Sequence, residues 1–260
     1  MILLLVYGVI GAAAVAAESP ARSNSGFVVI GVAEIPEYEG ADEPRTVPFV
    51  VSRSSLWGNE FEIDGLQARY DVVRHPVWRA GPALSVTIPR GDSAESVPVG
   101  RLPSIDLAVE LGAFAGFRMP FSSAKEGALS GYVLARRDFT GVHDGWLLTA
   151  DLEYFFAAAR ALRFGVAVNA TYADDNYADT YFAVTPISAT QSGLPSFAAG
   201  GGLKDVGLEL FSIVSFSEQS GVFLRTAVNR LYGDFADSPI VAVEGNDEQW
   251  FYGVGYFRRF

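Results

Sequence analysis

Leu162-Arg-Phe-Gly-Val-Ala-Val-Asn-Ala-Thr-Tyr172 alternates over its whole length. Its even positions are Leu162, Phe164, Val166, Val168, Ala170 and Tyr172, and its odd positions are Arg163, Gly165, Ala167, Asn169 and Thr171. A period of two puts successive side chains on opposite faces, the mark of a strand with one apolar and one polar side. Trp146 to Phe156 repeats the design. Trp146, Leu148, Ala150, Leu152, Tyr154 and Phe156 share one face, and Thr149, Asp151 and Glu153 share the other. Ile105 to Phe117 carries it again, with Ile105, Leu107, Val109, Leu111 and Phe117 against Asp106, Glu110 and Gly112. From Gly26 onward, Gly, Pro, Asp and Asn divide the chain into segments of about ten residues. None of them joins clean helix caps to a 3.6-residue period.

Aromatic residues sit at the ends of these apolar faces, as Trp146, Tyr154 and Phe156 do. Membrane barrels place Trp and Tyr in girdles at the two interfaces with aliphatic residues between. A soluble sandwich alternates too, but it turns the apolar face into a core. Here the polar face mixes Asp, Glu, Arg and Gly, which suits a narrow, salt-bridged lumen. The expected fold is therefore all-β: an antiparallel transmembrane β-barrel. Strands are expected at 26–36, 45–54, 58–64, 66–73, 78–89, 104–118, 122–138, 143–158, 161–173, 203–217, 219–232 and 248–260. That makes twelve, or ten without the short pair between Gly58 and Val73. Bacterial barrels use even numbers. Long connections at 90–103, 174–202 and 233–247 are expected outside the cell or folded into the mouth. Short turns near 139–142 and 159–160 are expected on the periplasmic side.

Composition narrows the function. The 260 residues include no cysteine and only two histidines, His75 and His143. Disulfides, thiolate metal sites and a cysteine nucleophile are excluded. A net charge of −11 argues against nucleic acid as a partner. Half of the residues are hydrophobic and the mean hydropathy is +0.22. Beyond the N-terminus no apolar run reaches the length of a spanning helix. Residues 1–17 read as a secretory signal peptide, apolar and ending in small residues before Glu18-Ser19-Pro20. A short segment, 18–25, and the barrel, 26–260, follow.

The chain ends in Gln249-Trp-Phe-Tyr-Gly-Val-Gly-Tyr-Phe-Arg-Arg-Phe260. Trp250, Tyr252, Val254, Tyr256 and Phe260 form one row, interrupted by Arg258, whose guanidinium can snorkel at a rim. Tyr256 and Phe260 resemble the assembly signal of outer-membrane barrels. Outer-membrane lipid and the barrel assembly machinery are the partners that this implies.

Four segments resemble the MipA/OmpV family of outer-membrane proteins. Ile35-Pro-Glu-Tyr-Glu-Gly-Ala-Asp42, with Arg45 and Val47-Pro48, is similar to an early family element in which Pro36, Tyr38, Gly40 and Asp42 match. Gly81-Pro-Ala-Leu84 is the second. The third is Tyr181-Phe-Ala-Val-Thr185, with Gln191-Ser-Gly-Leu194 and Gly200-Gly-Gly-Leu203. Tyr181 and Phe182 match there, while Ala183 replaces the usual Gly. The fourth is Arg230-Leu-Tyr-Gly-Asp234 leading to Asp237, Ser238 and Pro239. The resemblance implies a bacterial outer-membrane barrel with no catalytic constellation. Some members of the family are described as scaffolds linking a lytic murein transglycosylase to a penicillin-binding synthase. Others are linked to adhesion, osmotic response or antibiotic susceptibility. Physically, Pro36 and Gly40 suit a fixed loop after the first strand, and Asp237-Ser238-Pro239 a turn.

The remaining candidates for chemistry are charged. Asp106 with Glu110, Asp151 with Glu153, and Asp205 with Glu209 are expected to face inward. Arg79, Arg163 and Arg225 are expected to face them, forming a charge network that lowers the cost of ions in a narrow lumen. Acid–base catalysis by such pairs is the weaker reading. His143-Asp144 lacks a Ser at strand spacing, so no hydrolase site and no cofactor are expected. Asp174, Asp175, Asn176 and Asp179 read as a solvated loop rather than a Ca²⁺ site. Three functions remain: a scaffold for peptidoglycan-remodelling enzymes, a narrow channel for small solutes, or an adhesin working through its loops.

Overall fold

The computed structural model describes residues 26–91, 94–120 and 127–260. The expected signal peptide, 1–17, and the segment 18–25 lie outside them. The strands are β1 (Phe27–Pro36), β2 (Pro44–Leu56), β3 (Asn59–Asp64), β4 (Gln67–Tyr70), β5 (Trp78–Thr87) and β6 (Ala108–Pro120). They continue as β7 (Gly127–Asp138), β8 (Trp146–Ala159), β9 (Leu162–Ala173), β10 (Gly202–Ser215), β11 (Ser220–Leu231) and β12 (Glu248–Arg259). Each pairs antiparallel with its sequence neighbours, and β1 pairs with β12 to close the barrel. The short hairpin β3–β4 is real, so the count is twelve.

Closure satisfies the backbone. Gly26 and Phe260 exchange both N–H···O bonds at 3.0 Å, sealing the seam between the two ends of the chain. Strands can cross lipid only if no edge is left open. The alternation seen in the sequence then sorts side chains to either side of the wall. Ile30 in β1, Leu210 in β10 and Tyr252 in β12 point outward and are half exposed or more. In water such a continuous apolar surface would drive association. In lipid it is the required surface. Odd residues of β12, such as Phe251 and Phe257, face inward.

One stretch of wall is incomplete. The β3–β4 hairpin turns at Gly65, whose φ is +56°. Gly65 N–H donates to Val50 O at 2.9 Å, and Val86 N–H donates to Leu66 O at 3.0 Å. Above this level β2 pairs with β1 alone, among the described residues. Since Val50 bonds toward β3, the alternation aims the backbone of Pro44, Thr46 and Pro48 at the same side. Two of these three residues have no N–H to leave unpaired.

The loops β1–β2, β5–β6, β7–β8, β9–β10 and β11–β12 share one end of the barrel. The β9–β10 loop carries helices α2 (Asp175–Phe182) and α3 (Pro186–Ser192), where the sequence reading had no helix. Between β5 and β6 lies the single turn Val97–Gly100, and between β11 and β12 lie the turns Asp234–Asp237 and Pro239–Ala242. The 139–142 turn belongs to this same end, contrary to expectation. β7 runs toward the long loops, so the turn that follows it must lie among them. Asp106 is a second correction: it is exposed and precedes β6, which starts at Ala108. Pro103 and the Arg90↔Ile105 bridge interrupt the ladder there. Ile105 is thereby turned into the mouth, 8% exposed, instead of onto the lipid face.

Candidate functional site

Local capping signals build the mouth. Asp174 Oδ1 accepts the N–H of Tyr177 at 3.1 Å and starts α2. Asp175 Oδ1 accepts from Gly201 N–H at 2.6 Å, so the acidic run serves the backbone. Thr185 caps α3 by accepting from Ser188 N–H at 3.1 Å, and Pro186 opens the helix. Gly193 closes α3 with a φ of +85°. These ends bring Tyr177, Tyr181 and Phe182 inward, where they pack with Leu147, Ala173 and Leu231 from the strand tops.

The separated motifs meet here. Ser238, fully buried, donates its hydroxyl to Phe182 O at 2.6 Å and accepts from Ile240 N–H at 3.3 Å. Pro239 begins the turn after it. The N–H of Gly40 donates to Gln249 Oε1 at 2.8 Å. A Cβ on Gly40 would lie 2.5 Å from Val241 Cγ2, and its φ of +94° excludes most residues as well. Tyr38 is buried with Val99, Val184, Leu194 and Ile240. Pro36 ends β1, and Asp42 accepts from Asn246 Nδ2 at 3.1 Å. Asp237 ends the turn before Ser238. The first, third and fourth motifs, distant in sequence, thus form one packed assembly over the lumen.

Charges tie the assembly to the barrel. Tyr177 donates its hydroxyl to Glu39 Oε2 at 2.5 Å, and Lys204 pairs with Glu39 and, at 2.7 Å, with Asp205. Arg90 donates to Tyr181 O at 2.7 Å. Burial pulls the Arg90 guanidinium down to about 10, so it stays charged at neutral pH. Burial, then the neighbouring Glu43, pushes Tyr38 up to about 12. Burial, then Glu39, raises both Tyr177 and Tyr181. Below them Glu110, fully buried, accepts from Arg136 and Thr87 at 2.7 Å each. His143 Nδ1 accepts from Gly145 N–H at 3.0 Å, which leaves the ring proton on Nε2, 3.4 Å from Glu110 Oε1.

Lower in the lumen the expected charges are inward; Arg225 takes Glu209, one of its expected partners, while Arg79 and Arg163 take others. Arg79 pairs with Asp71 at 2.9 Å. Arg225 holds Asp64 at 2.5 Å and Glu209 at 2.7 Å. Arg53, Arg69 and Arg118 converge on Glu62, and Arg118 also reaches Glu60 at 2.7 Å. Among the described residues Arg163 bonds only to the Ser215 hydroxyl, at 3.4 Å. Asp151 and Glu153 face the lumen without an ion pair among the described residues. The sequence reading missed Glu39, Arg90, Arg136 and Lys204. Arg136 was within reach, since it shares a face with Asp138 on β7. Tyr256 donates to Ser220 Oγ at 2.9 Å from the lipid side, and Phe260 completes the seam.

The family described as MltA-interacting protein MipA matches residues 28–260. The chain belongs to that family. It is a β-barrel of the bacterial outer membrane, as the closed twelve-stranded sheet requires of a MipA-family chain. Among solved structures, the NanC porin aligns over 90% of this chain and all of its own, with a TM-score of 0.45 and 6% identity. The COG4313 outer membrane channel from Pseudomonas putida F1 aligns over 94% of this chain and 97% of its own, with a TM-score of 0.45 and 9% identity. No curated protein matches.

Proposed function

We propose that this MipA-family barrel is an outer-membrane anchor that docks peptidoglycan-remodelling enzymes at its periplasmic rim. The observation that carries the reading is the family match along 28–260, since the family is described by its interaction with MltA. The geometry supports it. The end bearing the long loops is filled by α2, α3 and the buried motif residues, which disfavours a solute channel. The opposite end, where short turns face the periplasm, presents exposed aromatics, Trp57 and Phe216 among them.

A crosslinked pull-down of the tagged protein from solubilised envelopes, with mass spectrometry, tests the proposal. Enrichment of a lytic murein transglycosylase or a penicillin-binding synthase over an unrelated barrel supports it. Recovery of only lipopolysaccharide and assembly factors overturns it.

A further inference from the structure

A polar lumen is the rule for membrane barrels, and half of this one departs from it. Phe27, Phe49, Phe155, Phe211, Phe223 and Phe257 all face inward and cluster with Val29 and Ile213. Their rings are in contact: Phe155 stacks on Phe211 at 5.9 Å, Phe211 meets Phe223 at 6.0 Å, and Phe27 meets Phe257 at 5.7 Å. Below the mouth assembly a cavity of about 460 Å³ lies against this wall and reaches the terminal seam at Gly26 and Arg259. That volume is in the range of small-molecule sites. Leaving phenyl surface against water is unfavourable, so this wall favours an apolar occupant.

The opposite wall sets the charge. Six guanidiniums line the cavity, those of Arg53, Arg69, Arg118, Arg163, Arg225 and Arg259, against four carboxylates. The whole chain is acidic, at −11, so this local excess runs against the composition. Arg225 is occupied by Asp64 and Glu209, and Arg53, Arg69 and Arg118 converge on the Glu60–Glu62 pair. Arg163 has only the Ser215 hydroxyl, and Arg259 is exposed at the rim with no ion pair among the described residues. These two have donors to spare, and a guanidinium fork matches a carboxylate or sulfonate.

We propose that this periplasm-facing cup binds a small amphipathic anion. The apolar body lies on the phenylalanine wall, and the acid group is held by Arg163 and Arg259. Glu153, which lines the cup without an ion pair among the described residues, opposes the anion and weakens its binding.

The test uses the full barrel in lipid nanodiscs and titration calorimetry, with empty nanodiscs as the blank. The probes are naphthalene-2-sulfonate and 2-naphthylmethylammonium, one ring system with opposite charges. The sulfonate is expected to bind saturably and the ammonium at least about tenfold more weakly, the worth of one charge-assisted hydrogen bond. Arg163→Gln with Arg259→Gln is expected to weaken the sulfonate by a similar factor. Glu153→Gln is expected to tighten it, and Arg258→Gln, on the outer face, to leave it unchanged. Equal affinity for the two probes, uptake no greater than the blank, or indifference to the double substitution would overturn the site. If the double variant fails to assemble, the probe pair on the unaltered barrel still decides. No periplasmic partner is present, so failure here leaves the docking reading untouched.

Discussion

Glu110 is the residue on which the mouth's charge balance turns. It is fully buried, bonded to Arg136 and Thr87, and lies 3.4 Å from His143 Nε2. Removing one member of a buried pair strands the other and costs about 3–5 kcal/mol. Glu110→Ala is therefore expected to loosen the mouth while the strands persist. Protease cleavage within 174–201 in intact cells, with unchanged heat-modifiable migration, would show it. Tyr38 gives a prediction in pH. Its pKa is raised from 10.0 to about 12, so the folded mouth favours the neutral phenol. That contribution is complete below pH 10 and is lost as the pH rises from 10 toward about 12. The Tyr38 hydroxyl is buried without a hydrogen bond among the described residues. Tyr38→Phe is then expected to be neutral or stabilising and to move the alkaline loosening upward. Near-ultraviolet circular dichroism across a pH titration measures both; a large loss of stability at pH 7 would refute the argument.

Strands were legible in the sequence because period two survives over ten residues: the strand expected at 161–173 is β9, Leu162–Ala173. Given the strands, parity alone placed Glu110, Asp151, Glu153, Asp205, Glu209, Arg79, Arg163 and Arg225 inside. Parity does not give partners. Asp64 reaches Arg225 across the lumen, a contact that depends on barrel curvature. Helices α2 and α3 escaped because eight and seven residues are too few to show a helical period. Their signals were local ones: Asp174, Thr185-Pro186 and Gly193. Pro44 and Pro48 were visible, but their purpose depends on the short β3–β4 hairpin. An open edge with free N–H groups invites pairing with another chain. Restoring donors with Pro44→Thr and Pro48→Thr is expected to produce dimers through this edge. Crosslinking in detergent would reveal them, and a strictly monomeric double variant would show that the edge is already covered.

At the scale of the molecule the question is what a closed mouth does to a wide barrel. Eight strands leave room for little more than side chains, while sixteen enclose a water-filled channel. Twelve fall between, so the contents of the lumen decide. Here the upper half holds Tyr177, Tyr181 and Phe182, fixed from below by Leu147, Ala173 and Leu231 and from beside by Ser238. The lower half holds the cup. Sequence reading anticipated loops in the mouth but not that three motifs would interlock there, because their contacts form only once five loops share one end. The intact barrel is accordingly expected to show no sustained single-channel conductance in planar bilayers. Replacing 175–199 by a short Gly-Ser turn removes α2 and α3 and with them the central packing of the seal. Discrete openings are expected from that variant, with the strands still assembled. Sustained conductance by the intact protein would mean that the assembly does not seal the lumen; the channel reading would then displace the docking one.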